Sequence, residues 1–93
     1  MLLKRRSSNL LYHELIGLKA RILEYPDPSI KGFQGEVVDE TLKTLVLSDG
    51  SRRIRVFKEN GVFMFTLPSG ENVIIKGFKL LGRPWDRVKM VLR

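Results

Sequence analysis

Few side chains in this sequence could do covalent chemistry. His13 is the single histidine among 93 residues, it stands beside Glu14, and there is no cysteine. A protein metal site needs three or four convergent His, Cys or carboxylate ligands, so His13 is expected to be structural or to touch a partner. Asp39 and Glu40 are adjacent carboxylates. Neighbouring strand residues point to opposite faces, so the two are not expected to converge on one substrate as an acid–base pair; they read as a solvated turn. The eight glycines form neither a phosphate-binding loop nor a dinucleotide fingerprint. Catalysis by the chain's own side chains is therefore not expected, nor is a cofactor or metal held by them.

The basic residues carry a clearer signal. The net charge is +7 and the sequence pI about 10.2. Residues 1–31 hold six basic and three acidic residues, residues 32–51 one and four, and residues 52–93 ten and three. In a small closed β structure the two basic ends become neighbours, giving one positive face and an opposite face that is not. Such a field suits a polyanion, RNA foremost; a basic surface serving only solubility is the plainer alternative. Arg53 and Arg55 alternate with Ile54 and Val56, so both should stand on the outer face of one strand, about 7 Å apart. Lys58, Lys76, Lys79, Arg83 and Arg87 follow in the same basic half, and Lys4, Arg5 and Arg6 form a basic tail. These ten residues are the candidate RNA contacts, fit for phosphates and without base preference. Phe57, in phase with Arg53 and Arg55, is the candidate for stacking on a base, whereas Phe63 and Phe65 read as core.

The elements that must position these residues are short. At this length there is one domain, and 43% hydrophobic with 29% charged residues is a folding composition. Residues 1–8 read as the tail. Ser7 and Ser8 cap a helix over 9–16 that Gly17 ends. Five or six strands over 18–82 follow: around Leu18–Ile22, Phe33–Thr41 with a bulge or bend at Gly35, Leu45–Leu47, Arg52–Lys58, Val62–Leu67 and Val73–Lys76. Asp49-Gly50 and Asn60-Gly61 read as hairpin turns, Pro68-Ser69-Gly70 as another turn, and Gly77 as a bend toward Phe78 and Leu80. Pro84 then opens a closing helical segment over 83–93. The expected fold is mostly β, a small bent antiparallel barrel of Sm-like or SH3-like type with a short helix at each end. Leu10, Leu11, Tyr12, Leu15 and Ile16 crowd more apolar surface into the first helix than one face requires, which suggests a protein partner. Met1-Leu2-Leu3 precedes Lys4-Arg5-Arg6, the reverse of a secretory signal, and no run reaches membrane-spanning length. A cytoplasmic protein is expected, with neither a membrane nor a small-molecule substrate as partner.

Four stretches in order, HELIGL at 13–18, GEVVDETLKTLVLSDG at 35–50, FMFTLPSG at 63–70 and LLGRPWDR at 80–87, resemble the Sm-like protein subunit of archaeal and eukaryotic ribonuclease P. The likeness runs from about Asn9 to Arg87. It implies a noncatalytic subunit of the ribonucleoprotein that removes 5′ leaders from precursor tRNA. In such an assembly the RNA subunit holds the divalent metals and cleaves. The barrel protein pairs with a zinc-ribbon protein subunit, and precursor tRNA is met only indirectly. The resemblance carries the pairing role onto Leu10, Leu11, Tyr12, Leu15 and Ile16. The sequence departs from the family pattern at Phe57-Lys58, where a proline commonly precedes the basic residue, and at Trp85, where an acidic or polar residue is expected. Lys31 to Val37 is also similar to the glycine-spaced loop of SH3-like (KOW-type) ribosomal domains, which implies a ribosomal RNA-binding alternative. A ring-forming Sm protein lacks support, since its uridine-binding loop signature is missing. A protein-assembly module without RNA contact is the remaining alternative.

Overall fold

Alternation of side chains, in and out, builds this molecule. The computed structural model describes residues 15–82. In β1 (Lys19–Glu24), Ala20 and Ile22 are buried while Lys19 and Arg21 face outward. β2 spans Gln34–Glu40, β3 Thr44–Ser48, β4 Arg53–Phe57, β5 Val62–Thr66 and β6 Asn72–Lys76. They form one antiparallel sheet in the order β4-β3-β2-β1-β5-β6. A flat sheet of six strands would hold its edges about 24 Å apart. Here the 3₁₀ turn after β4 (Lys58–Asn60) packs against the 3₁₀ turn after β6 (Gly77–Leu80). The sheet therefore curls into a barrel-like shell, and its inward residues form one cluster that includes Leu15, Ile22, Val37, Leu47, Phe63, Phe65 and Leu80.

Two glycines permit the curl. A Cβ on Gly77 would overlap the Lys58 carbonyl oxygen, and the Gly77 N–H donates to the Gly61 carbonyl at 2.8 Å. Only glycine lets the two turns approach this closely. At Gly35 a Cβ would lie 2.5 Å from the Ser48 carbonyl oxygen, so β2 and β3 meet there without a side chain between them. The irregularity expected at Gly35 falls slightly later: the β2–β3 register shifts between Val37 and Asp39.

The six strands fall where alternation places them, and Asp49-Gly50 and Pro68-Ser69-Gly70 join antiparallel neighbours. Asn60-Gly61 does not make a hairpin. β4 and β5 are not partners, because β5 pairs with β1, and the connection is the 3₁₀ turn that carries the chain from one edge to the other side. No α-helix occurs among the described residues. The helices expected over 9–16 and 83–93 lie outside them, except that Leu15 and Ile16 form a turn, with the Leu18 N–H donating to the Leu15 carbonyl at 3.1 Å.

Candidate nucleic-acid interface

β4 is an edge strand, and its outer face presents Arg53, Arg55 and Phe57 to solvent. Pairing with β3 fixes them opposite Ser48, Val46 and Thr44 respectively. Arg55 Nη1 donates to Thr44 Oγ1 at 2.9 Å, and Thr44 Oγ1 lies 2.6 Å from Thr41 Oγ1. Neutral hydroxyls thus orient the guanidinium, and no carboxylate among the described residues lies within ion-pair distance of it. The Phe57 N–H donates to Tyr25 Oη at 3.0 Å, and its ring is 53% exposed. Lys76 and Lys79 are exposed beside the other edge. The two packed 3₁₀ turns bring the ends of β4 and β6 together, so Arg55 and Phe57 border the same end of the shell as Lys76 and Lys79.

Lys58 does not belong to this surface. It is fully buried, and its Nζ donates to Glu40 Oε2 at 2.7 Å, to the Thr41 carbonyl at 2.8 Å and to the Gly82 carbonyl at 2.9 Å. A polar side chain follows Phe57 at the point where the strand turns inward, so the charge is consumed inside. Its partner Glu40 has only 2% of its side chain exposed and is no solvated turn residue. Leu15 is likewise fully buried in the core and has no surface to offer a partner, while Ile16 is half-buried against that core. Leu10, Leu11, Tyr12, Lys4, Arg5, Arg6, Arg83 and Arg87 lie outside the described residues.

The outer face is not uniformly positive. Glu36 and Asp39 are exposed on β2, two strands from Arg53 and Arg55, and Asp39 borders the same shallow concavity as Arg53 and Arg55 around Val46. That separation is about 10 Å, near the Debye length at physiological salt, so the acidic strand bounds the positive area without cancelling it. Three cations that sequence reasoning left out of the site are exposed too. Lys19 and Arg21 share the outer face of β1, and Arg52 lies over the Phe33 ring at 5.3 Å. The first two were signalled by their alternation with Ala20 and Ile22; nothing local signals the Arg52–Phe33 contact. In the loops, hydrogen bonds from Ser29, first its hydroxyl and then its N–H, hold the Asp27 carboxyl below its ordinary range, and the Arg52 and Ser51 N–H groups do the same for Asp49. Among the described residues no three His, Cys, Asp or Glu side chains gather as a metal site, and no helix is long and apolar enough to cross a membrane.

The described residues form a small, basic, mostly β protein: a curled six-stranded antiparallel sheet with exposed cations and an aromatic ring along one edge. Residues 8–90 match the family model described as ribonuclease P/MRP, subunit p29. A curated relative from Desulfurococcus amylolyticus, named ribonuclease P protein component 1, is 62% identical over 88 residues, covering 94% of this chain and 96% of the relative. A protein of the same name from Staphylothermus marinus is 57% identical over 86 residues, covering 91% and 94%. The solved structure of Mth11, described as a homologue of the human RNase P protein Rpp29, aligns with a TM-score of 0.60 at 47% identity and covers 81% of this chain and 97% of that one. The chain belongs to the ribonuclease P/MRP p29 family. That membership sets aside the ribosomal SH3-like alternative.

Proposed function

We propose that this chain is a noncatalytic, RNA-binding subunit of ribonuclease P, an Sm-like protein that assists the RNA subunit in removing 5′ leaders from precursor tRNA. The observation that carries the reading is the outer face of β4. There Arg53 and Arg55 stand beside exposed Phe57 on a sheet edge, with no carboxylate within ion-pair distance among the described residues. Uncompensated guanidiniums at strand spacing suit phosphates, and a neighbouring ring adds tolerance for any base face. The divalent metals belong to the RNA subunit in this reading, a zinc-ribbon protein subunit pairs with the N-terminal segment, and the assembly works in the cytoplasm.

The test is a binding titration of the purified chain with ribonuclease P RNA at several salt concentrations. Affinity should fall linearly on a double-logarithmic plot, with a slope set by the number of phosphates neutralised. Absence of affinity, or affinity insensitive to salt, would return the chain to the protein-assembly alternative.

A further inference from the structure

Beside the second sheet edge lies an open concavity of about 610 Å³, with Val62, Ile74, Lys76, Phe78 and Lys79 along its wall. Ile74 is 63% and Phe78 53% exposed, the two largest apolar exposures on this side of the molecule. Both lysines are exposed and neither has a carboxylate within ion-pair distance among the described residues. Among the described residues no acidic side chain lines this concavity. The comparable hollow between β1, β2 and the β3–β4 turn contains Glu36 and Asp49 and is unsuited to an anion.

We infer that this concavity is a subsite for an unpaired nucleotide of RNA, with the base stacked on Phe78 over the Ile74 side chain and the flanking phosphates on Lys76 and Lys79. The inference rests on the RNA-binding reading and adds to it a second site, separate from Arg53, Arg55 and Phe57, with a preference for single strands. The chemistry follows from the wall. An exposed ring next to an aliphatic floor holds a π-face whatever the base. Two lysines with no acidic neighbour among the described residues supply charge for a backbone. A base inside a duplex has both faces covered and cannot use the ring. Lys76 ends β6 as the N-cap of the 3₁₀ turn that carries Phe78 and Lys79, so the two cations flank the Gly77–Phe78 step. Its Gly77 is pinned to Gly61 and packed on the Lys58 carbonyl.

The experiment compares the full chain with Phe78→Ala, Phe78→Trp and, as a control at an exposed apolar residue outside both surfaces, Leu42→Ala. Each is titrated with a fluorescent single-stranded RNA octamer and with a hairpin duplex of matched charge. Phe78→Ala should lose roughly fivefold or more in affinity for the single strand, with an unchanged salt slope and unchanged duplex binding. Phe78→Trp should restore the affinity, and a 5-bromouridine octamer should photo-crosslink to the peptide containing Phe78. Equal affinities for native and Phe78→Ala, with duplex binding and salt slope intact, would overturn the subsite while leaving the RNA-binding reading standing. If Phe78→Ala instead weakens assembly with the other protein subunits and leaves RNA affinity alone, the concavity docks protein and the inference is wrong. No affinity of the native chain for either RNA would sink both.

Discussion

Taking an ammonium and a carboxylate out of water costs several kcal/mol per ion even after relaxation, and Lys58 and Glu40 offset it by geometry. The ammonium has three protons, and Glu40, the Thr41 carbonyl and the Gly82 carbonyl accept at 2.7, 2.8 and 2.9 Å. Glu40 Oε1 also receives a long 3.4 Å hydrogen bond from the Leu15 N–H, so one buried pair links the start and the end of the described chain. Lys58→Met should therefore cost about 3–5 kcal/mol by stranding a buried carboxylate, read by denaturant unfolding. Lys58→Met with Glu40→Leu should recover much of that loss; a single variant as stable as the native protein would show the pair to be idle. The exposed cations behave oppositely. Arg53→Ala and Arg55→Ala should each lower the salt slope of RNA binding by about one unit and shift stability by no more than about 0.5 kcal/mol. An unchanged slope in the double variant would move the phosphate track elsewhere. Alternation made Arg53, Arg55 and Phe57 legible. It also put Lys58 in phase with Ile54 and Val56, on the inner face where the side chain is buried. Reading its charge as a surface contact ignored that phase, and no local period reports the partner that permits burial, Glu40, 18 residues away.

Elements of five or six residues hold together here because each buries one face against the rest. Val56, Phe63 and Phe65 are fully buried, and side chains of this kind are worth about 1.5–3 kcal/mol apiece. Gly77→Ala should cost about 3 kcal/mol or more, the upper end of overpacking, since the overlap is with backbone that cannot rotate away. A thermal melt unchanged by this substitution would mean that the two 3₁₀ turns can separate freely. In the proposed function the N-terminal segment divides before Leu15, the preceding residues docking a partner while Leu15 is core. Removing residues 1–14 should leave the sheet folded, because the buried Leu15 side chain remains, while capture of a zinc-ribbon partner is lost. Removing residues 1–15 as well should unfold it, as Leu→Ala-type core losses of about 2–5 kcal/mol imply for a small domain. Identical circular dichroism and melting for both truncations would contradict the division. The loops add a pH dependence. Asp27 and Asp49 have depressed carboxyl pKa values, so their contribution is present above the ordinary carboxyl value of 3.8 and fades as pH falls through the lower folded value. Asp27→Asn and Asp49→Asn should accordingly flatten the acid limb of the stability curve. Strand positions were readable because period two survives in most strands; β3 is the exception, with Thr44, Leu45, Val46 and Leu47 all buried. The β4–β5 connection was misread because Asn-Gly signals a reversal of direction without saying which strand the chain rejoins.

For the whole molecule, charge and curvature together define what the chain can do. The curl sets the ends of both edge strands side by side, giving a basic end that borders an acidic strand about 10 Å away. Block counts along the sequence captured the acidic middle but put it on the opposite face. β2 lies only two strands from β4, so Glu36 and Asp39 share the outer face with the arginines. Family membership was legible because four separated stretches, each weak alone, occur in one order. In the proposed function this chain contributes binding while the RNA does the chemistry. The most direct measurement is cleavage of precursor tRNA by the purified chain alone, by ribonuclease P RNA with the other protein subunits, and by the complete mixture. The chain alone should leave the substrate intact, and adding it to the incomplete mixture should raise the rate of cleavage at the mature 5′ end. Specific 5′ cleavage by the chain alone, or a complete mixture no faster than the incomplete one, would rule out the proposed function.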